Sequence, residues 1–220
     1  MQPDYQIPEI EKTAPTLAHE LRTDGRRLYS PERNDPLAAS QKLQDALTNT
    51  DDVKDLLANA WRDLIFHHPL LYLRIRGDVF RWVFLTPDLK MCLPVFDGIS
   101  GPPDEMAELG LVERNDDRDD ALTAYAGAFI GTPVLSHAAF AFLAVIELIL
   151  LWFRRRDTDI AIGAMLLGAL AFTASFFVIS IACDYRYLYF LDLAALTGLF
   201  YLSLDPRSFL QIRSEVFKKE

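Results

Sequence analysis

The chain has little cysteine and no excess of basic charge. Its 220 residues include two cysteines, Cys92 and Cys183, and neither has a neighbour at metal-ligand spacing, so a zinc site is not expected. We interpret both as unpaired, mostly buried thiols; the alternative is a disulfide, which requires an oxidising compartment. The formal net charge of -9 argues against a nucleic-acid-binding protein, because such a protein needs a basic face to neutralise phosphates.

The motifs of common catalytic sites are also missing. The sequence contains no phosphate-binding glycine loop, no nucleophile elbow and no zinc-binding helix. The acidic run at residues 115–120 lacks the glycine turn and the distal glutamate of a calcium loop, which favours a solvated turn. Residues 1–10 contain prolines and acids where a secretory signal would be apolar. We therefore predict no catalytic residue, no metal and no cofactor.

Charge is nearly absent from the second half of the chain, where the sequence contains three long apolar stretches. Each is long enough to cross about 30 Å of hydrocarbon. They cover residues 134–153, 159–182 and 185–204. The sequence thus predicts an all-α membrane protein, with three transmembrane helices within residues 131–204 and a tail at residues 205–220.

The first 130 residues are predicted to form a head in two parts. Residues 1–51 contain many prolines and are expected to be loop-rich. Residues 52–130 are expected to be mostly helical and extracytoplasmic or interfacial. Within them, residues 52–66 follow the three-four spacing of an amphipathic helix. Residues 70–85 carry arginines on one helix face, where they could contact lipid phosphates at a membrane surface. The alternative is that this face is solvated and holds an ion pair within the helix.

The distribution of basic residues predicts the orientation. Arg154, Arg155 and Arg156 lie on the same side of the membrane as the basic tail, so this side is expected to be cytoplasmic and the head extracytoplasmic. A head of that length does not cross a membrane without a preceding signal or span. We therefore expect the chain to be the C-terminal portion of a longer protein; the alternative is a cytoplasmic head with inverted spans.

Polar residues in or beside the apolar stretches are the candidate functional residues, because ionisable groups are costly there. Arg186, between Tyr185 and Tyr187, can pair with a lipid phosphate, or it can serve as an interfacial anchor paired to Asp184. These three residues are the predicted substrate-binding set.

Two acids lie deeper in the predicted spans. Asp192 follows Tyr185 by seven residues on one helix face, whereas Glu147 lies in the first stretch at another depth. We expect both to form buried hydrogen bonds in a bundle with more helices. His137, near the outer end of the first stretch, is expected to be interfacial.

The order of several local features resembles the C-terminal part of bacterial GT-C superfamily glycosyltransferases, which use polyprenyl-phosphate sugars. These features are AWR at 60–62 followed by HPLLYLR at 68–74, the Thr132-Pro133 entry into an apolar stretch, and DYRYLY at 184–189. The resemblance implies a many-spanning bundle whose catalytic acid lies in an early extracytoplasmic loop. No residue here matches that acid, so no catalytic residue is carried over. Tyr185, Arg186 and Tyr187 are implied to contact the lipid-phosphate donor.

These expectations combine into one functional hypothesis and one alternative. The chain is expected to be a glycosyltransferase-like portion that acts on lipid-linked sugars and is inactive without its N-terminal catalytic half. Its location would be the bacterial inner membrane, and its partners would be membrane lipid, a polyprenyl-phosphate sugar and the missing half or a partner chain. The alternative is a non-catalytic scaffold or accessory protein that binds another membrane protein.

Overall fold

The structure, a computed structural model, describes residues 8–92, 94–154 and 156–204. Within these ranges it is all-helical, and its only extended pairing is an isolated bridge between Ile99 and Arg114. The predicted all-α class is therefore confirmed. The predicted tail at residues 205–220 lies outside the described residues.

The chain divides into two compact units after Val79. Among its described residues, the first unit contains seven helices and one π-helical turn, and its last helix, α7, continues past the boundary. In chain order they are α1 (Pro8–Thr13), α2 (Pro15–Glu20), the π-helical turn Leu21–Gly25, α3 (Arg26–Leu28), α4 (Asp35–Ala38), α5 (Gln41–Thr48), α6 (Val53–His67) and α7 (Pro69–Leu85).

The segment predicted to be loop-rich, residues 1–51, is largely helical where it is described. Its prolines do not break these helices, because Pro15 and Pro36 occupy first-turn positions, where no amide donor is needed. Ser40 caps α5 by accepting a hydrogen bond from the Leu43 amide at 3.4 Å. Proline content therefore indicated helix starts in this segment.

The core of the first unit joins these short helices to α6. Leu56 and Ala60, one turn apart on α6, are buried against residues of α1, α2 and α5. Two other apolar side chains of α6, Leu57 and Trp61, remain exposed. Because helices before residue 51 share this core with α6, the predicted division between residues 51 and 52 does not separate two cores.

The second unit begins within α7 at Phe80. After α7, the part of this unit that the structure describes contains three short helices, two 3-10 turns and three longer helices. These are α8 (Leu89–Cys92), α9 (Pro103–Glu108), α10 (Asp117–Gly127), the 3-10 turn Pro133–Leu135, α11 (His137–Arg154), α12 (Asp157–Ile179), the 3-10 turn Tyr185–Leu188 and α13 (Tyr189–Ser203).

Helices α11, α12 and α13 pack on one another around a core of small and branched side chains. Ala144, Leu166 and Ala195 are fully buried there. Large apolar side chains cover the outward faces, among them Phe142, Leu167 and Phe200. An apolar exterior around a tightly packed apolar interior is typical of helices that meet lipid.

Two of the three predicted spans are supported by length and composition. His137–Arg154 and Asp157–Ile179 are long and apolar enough to cross a membrane. The third helix, α13, has 15 residues and is too short alone, so the prediction of a continuous helix from residue 185 is wrong. The reason is local: the Asp184 carboxylate accepts the Arg186 amide at 2.9 Å and starts a 3-10 turn there.

The two cysteines form a disulfide, so the interpretation as unpaired thiols is wrong. Cys92 at the end of α8 is joined to Cys183, which precedes the 3-10 turn, with their Cα atoms 4.6 Å apart. Their sequence separation of 91 leaves no local spacing from which the pairing could be inferred. The bond ties the segment after α7 to the start of the turn that carries Arg186.

Candidate functional site

The turn before α13 presents one cation at the end of the three-helix bundle. Arg186 Nε donates to both Asp184 carboxylate oxygens, at 3.0 and 3.2 Å, and Nη2 donates to Oδ2 at 2.6 Å. The Arg186 side chain is 79% exposed, whereas that of Asp184 is 10% exposed. The guanidinium is thus held along one edge while the rest of it faces outward, a geometry in which an anion can approach.

The two tyrosines beside Arg186 do not point the same way as its guanidinium. Tyr185 donates its hydroxyl to Asp192 Oδ2 at 2.6 Å. Tyr187 stacks on Phe176 near the end of α12, with ring centroids 5.4 Å apart. Of the three predicted substrate-binding residues, Arg186 is therefore the exposed one, and the half-buried tyrosines hold the turn in place.

Asp192 belongs to a buried cluster that the sequence indicates only in part. Its second oxygen, Oδ1, lies 2.8 Å from His137 Nδ1, and the His137 ring packs on the Tyr185 ring at 4.3 Å. The sequence spacing places Tyr185 and Asp192 on one helix face, but His137 was predicted to be an interfacial residue. His137 is instead fully buried.

A topological signal could have found this histidine. In a three-helix bundle with short connections, the first and third helices run parallel, so their starting residues lie at the same end. His137 begins α11, and Asp192 lies in the first turn of α13.

Glu147 lies alone in the middle of the bundle. It is 1% exposed, and neither carboxylate oxygen has a hydrogen-bond partner among the described residues. Gly198 of α13 makes the necessary room, because a Cβ atom there would lie 3.0 Å from Glu147 Cδ. Glu147 and Asp192 thus occupy separate environments and do not form a paired acidic site.

The opposite end of the bundle carries a second polar cluster, which sequence reasoning missed. Arg154 Nε donates to both oxygens of Asp159 at 2.9 Å, and the two side chains are 4% and 3% exposed. Tyr201 donates to Asp159 Oδ1 at 2.7 Å, and the Arg154 guanidinium lies 4.8 Å from the Tyr201 ring centroid. This cluster joins the end of α11, the start of α12 and the end of α13.

The arrangement favours binding and positioning over covalent chemistry. Among the residues that the structure describes, no group of three or more histidine, cysteine, aspartate or glutamate side chains is placed to hold a metal ion. The exposed group at the candidate site is a cation beside aromatic rings, which suits an anionic ligand. Comparison with protein-family models, curated proteins and solved structures finds no match for this chain.

Proposed function

We propose that this chain is the C-terminal, membrane-embedded portion of a glycosyltransferase-like protein, and that Arg186 binds the phosphate of a polyprenyl-linked sugar. The observation that carries the proposal is the exposed guanidinium, which Asp184 holds directly before α13. A guanidinium held along one edge loses less side-chain freedom when it pairs with a phosphate. Tyr185 and Tyr187 act by holding the turn.

The proposal includes a third span made of two elements. The 3-10 turn Tyr185–Leu188 followed by α13 is about 30 Å long at the usual rise per residue, which matches the hydrocarbon thickness of a bilayer. Arg186 would then lie at headgroup depth, where lipid phosphates are found.

The disulfide supports the proposed orientation. Disulfides persist in oxidising compartments, so Cys92 and Cys183 belong on the extracytoplasmic side of a bacterial inner membrane. The distribution of basic residues predicts the same side for Asp184 and Arg186. One argument from redox chemistry and one from charge thus support our proposal that the Arg186 turn lies outside.

A second candidate function, a non-catalytic membrane module, is favoured by the internal pairing of the buried charges. Asp192 is paired with His137, and Asp159 with Arg154, within the three helices themselves. Buried charges that are already paired do not require further helices around them. On this view the chain folds on its own and binds another membrane protein.

The lipid-phosphate proposal is tested by binding to the full chain in phosphatidylcholine vesicles. The probe is a fluorescent polyprenyl phosphate, with unlabelled phosphatidylglycerol and inorganic phosphate as competitors. Arg186→Gln should weaken binding about tenfold or more, because it removes a charged hydrogen-bond donor. Arg186→Lys should restore binding only in part, since lysine lacks the planar fork.

Arg118→Gln is the matched control, because Arg118 is an exposed arginine near the start of α10. Equal binding by wild type and Arg186→Gln would refute the phosphate site. Equal competition by phosphatidylglycerol would show that Arg186 recognises any anionic lipid, which would favour the non-catalytic module.

A further inference from the structure

Four aromatic rings lie in contact with one another from the Arg186 turn along α12. Tyr187, the residue after Arg186, stacks on Phe176 with ring centroids 5.4 Å apart. Phe176 contacts Phe172, one helical turn earlier, edge to face at 5.1 Å. Phe172 contacts Phe190 of α13 edge to face at 6.1 Å. We call Tyr187, Phe176, Phe172 and Phe190 the ring strip.

The ring strip faces outward from the three-helix bundle. Phe172 and Phe190 are 44% and 46% exposed, and Phe176 and Tyr187 are half-buried. Thr173, the next residue after Phe172, is buried instead, so the rings lie on the outer face of α12. If the bundle spans a bilayer as proposed, this face contacts the lipid chains.

The ring strip extends from the proposed headgroup depth into the hydrocarbon. Phe176 and Phe172 precede the end of α12 by three and seven residues. At the usual helical rise, these positions lie about 4.5 and 10 Å from that end. A lipid chain whose phosphate is bound by Arg186 can therefore leave the headgroup region beside Tyr187 and continue along the other rings.

Rigid rings can select one kind of lipid chain. In hydrocarbon, burial from water favours no chain over another, so the packing of the two surfaces decides which chain binds. Each ring of the strip is held by contact with another ring, so little side-chain freedom is lost on binding. A polyprenyl chain carries a flat double bond in every unit, and flat groups stack on ring faces. A saturated chain has no such group.

We propose that the ring strip binds the isoprene units next to the phosphate and selects a polyprenyl chain over a saturated one. This inference rests on the proposed function, because it takes Arg186 as the phosphate-binding residue. Arg186 supplies affinity for the phosphate, whereas the ring strip supplies specificity for the chain.

The test compares two fluorescent probes in phosphatidylcholine vesicles that contain the full-length chain. One is a polyprenyl monophosphate, and the other is a saturated alkyl monophosphate of similar length. Wild type should bind the polyprenyl probe more tightly. The double variant Phe172→Leu/Phe190→Leu should weaken binding of the polyprenyl probe about tenfold, at about threefold for each ring, and should leave binding of the alkyl probe unchanged. Leucine keeps both exposed positions apolar, so the buried core of the bundle is preserved.

Phe142→Leu/Phe200→Leu is the matched control, because both residues are exposed phenylalanines of the same bundle outside the ring strip. This variant should bind both probes as wild type does. Equal binding of the two probes by wild type, or equal loss of polyprenyl binding in the two double variants, means contact with annular lipid only and overturns the proposal.

Arg186→Gln separates the phosphate site from the chain site, because it should weaken binding of both probes to the same extent. If it does so while Phe172→Leu/Phe190→Leu changes neither probe, the ring strip proposal is overturned and the proposed function stands. If Arg186→Gln changes neither probe while the ring strip variant loses the polyprenyl probe, the proposed function fails and the chain selectivity of the ring strip stands.

Discussion

The hydrogen bonds around Asp192 can be tested by removing one hydroxyl. Tyr185→Phe deletes only the donor that reaches Asp192 Oδ2 at 2.6 Å, and it leaves the contact of Asp192 with His137 at 2.8 Å intact. A hydrogen bond to a charged group contributes about 1.5–3 kcal/mol. Because Tyr185 is half-buried, we expect the free energy of unfolding to fall by about 1.5 kcal/mol, the lower end of that range.

Asp192→Ala is expected to lower the free energy of unfolding about twice as much as Tyr185→Phe does. It leaves the Tyr185 hydroxyl and the His137 ring without their common acceptor, and each unsatisfied buried group costs about 1–3 kcal/mol. Asp192→Asn keeps a side-chain oxygen as acceptor, so it should cost less than Asp192→Ala. Tyr185→Phe and Asp192→Ala remove the same hydrogen bond. In the Asp192→Ala background, Tyr185→Phe should therefore cause little further loss in the free energy of unfolding.

The assay is thermal unfolding of the full-length chain in detergent micelles, followed by circular dichroism. The control is Tyr189→Phe, which removes the hydroxyl of a more exposed tyrosine in the same region. For a chain of this size, about 1.5 kcal/mol corresponds to a fall in Tm of about 3–6 °C. The reasoning is refuted if the Tyr185→Phe and Tyr189→Phe variants have the same Tm. It is also refuted if Tyr185→Phe lowers the free energy of unfolding as much in the Asp192→Ala background as in wild type.

Three further perturbations test other contacts. Cys183→Ser should lower the free energy of unfolding by about 4 kcal/mol, because the disulfide closes a loop of 91 residues; alkylation of thiols before reduction would contradict the bond. Gly198→Ala should destabilise the bundle in a melting assay, and the loss should disappear when Glu147 is also alanine, since the overlap is with that carboxyl. Arg154→Gln should cost about 3–5 kcal/mol in denaturant unfolding, as it leaves Asp159 buried without its cation; a loss below about 1 kcal/mol would argue against this pair.

Local sequence pattern was sufficient to predict α6, the long amphipathic helix of the head. The prediction of a helix over residues 52–66 agrees with α6 to within one residue at each end, because its apolar side chains repeat at the helical period. The next helix, α7, begins at Pro69, a residue that suits the first position of a helix. The helices before residue 51 were underpredicted, because they are short and are stabilised by packing on α6.

Hydrogen bonds between residues far apart in the sequence could not be predicted from local patterns. The spacing of seven residues placed Tyr185 and Asp192 on one face without predicting their hydrogen bond. His137 is 55 residues from Asp192, and no local period links them. The same holds for Tyr201 and Asp159, which are 42 residues apart. Asp192 and Asp159 have their partners within the three helices, so they do not require further helices, and Glu147 is the buried acid that remains without a partner among the described residues.

The polar clusters at the two ends of α11 have a consequence for the proposed membrane placement. His137 and Arg154 lie at the ends of one continuous helix, about 26 Å apart at the usual rise per residue. Each is bonded to a different helix, so α12 and α13 cannot slide along α11 without breaking one cluster. The distance between the two clusters is therefore fixed. If the bundle spans a bilayer as proposed, a thicker membrane would have to thin around it, and the chain length of the lipids should govern where this protein resides.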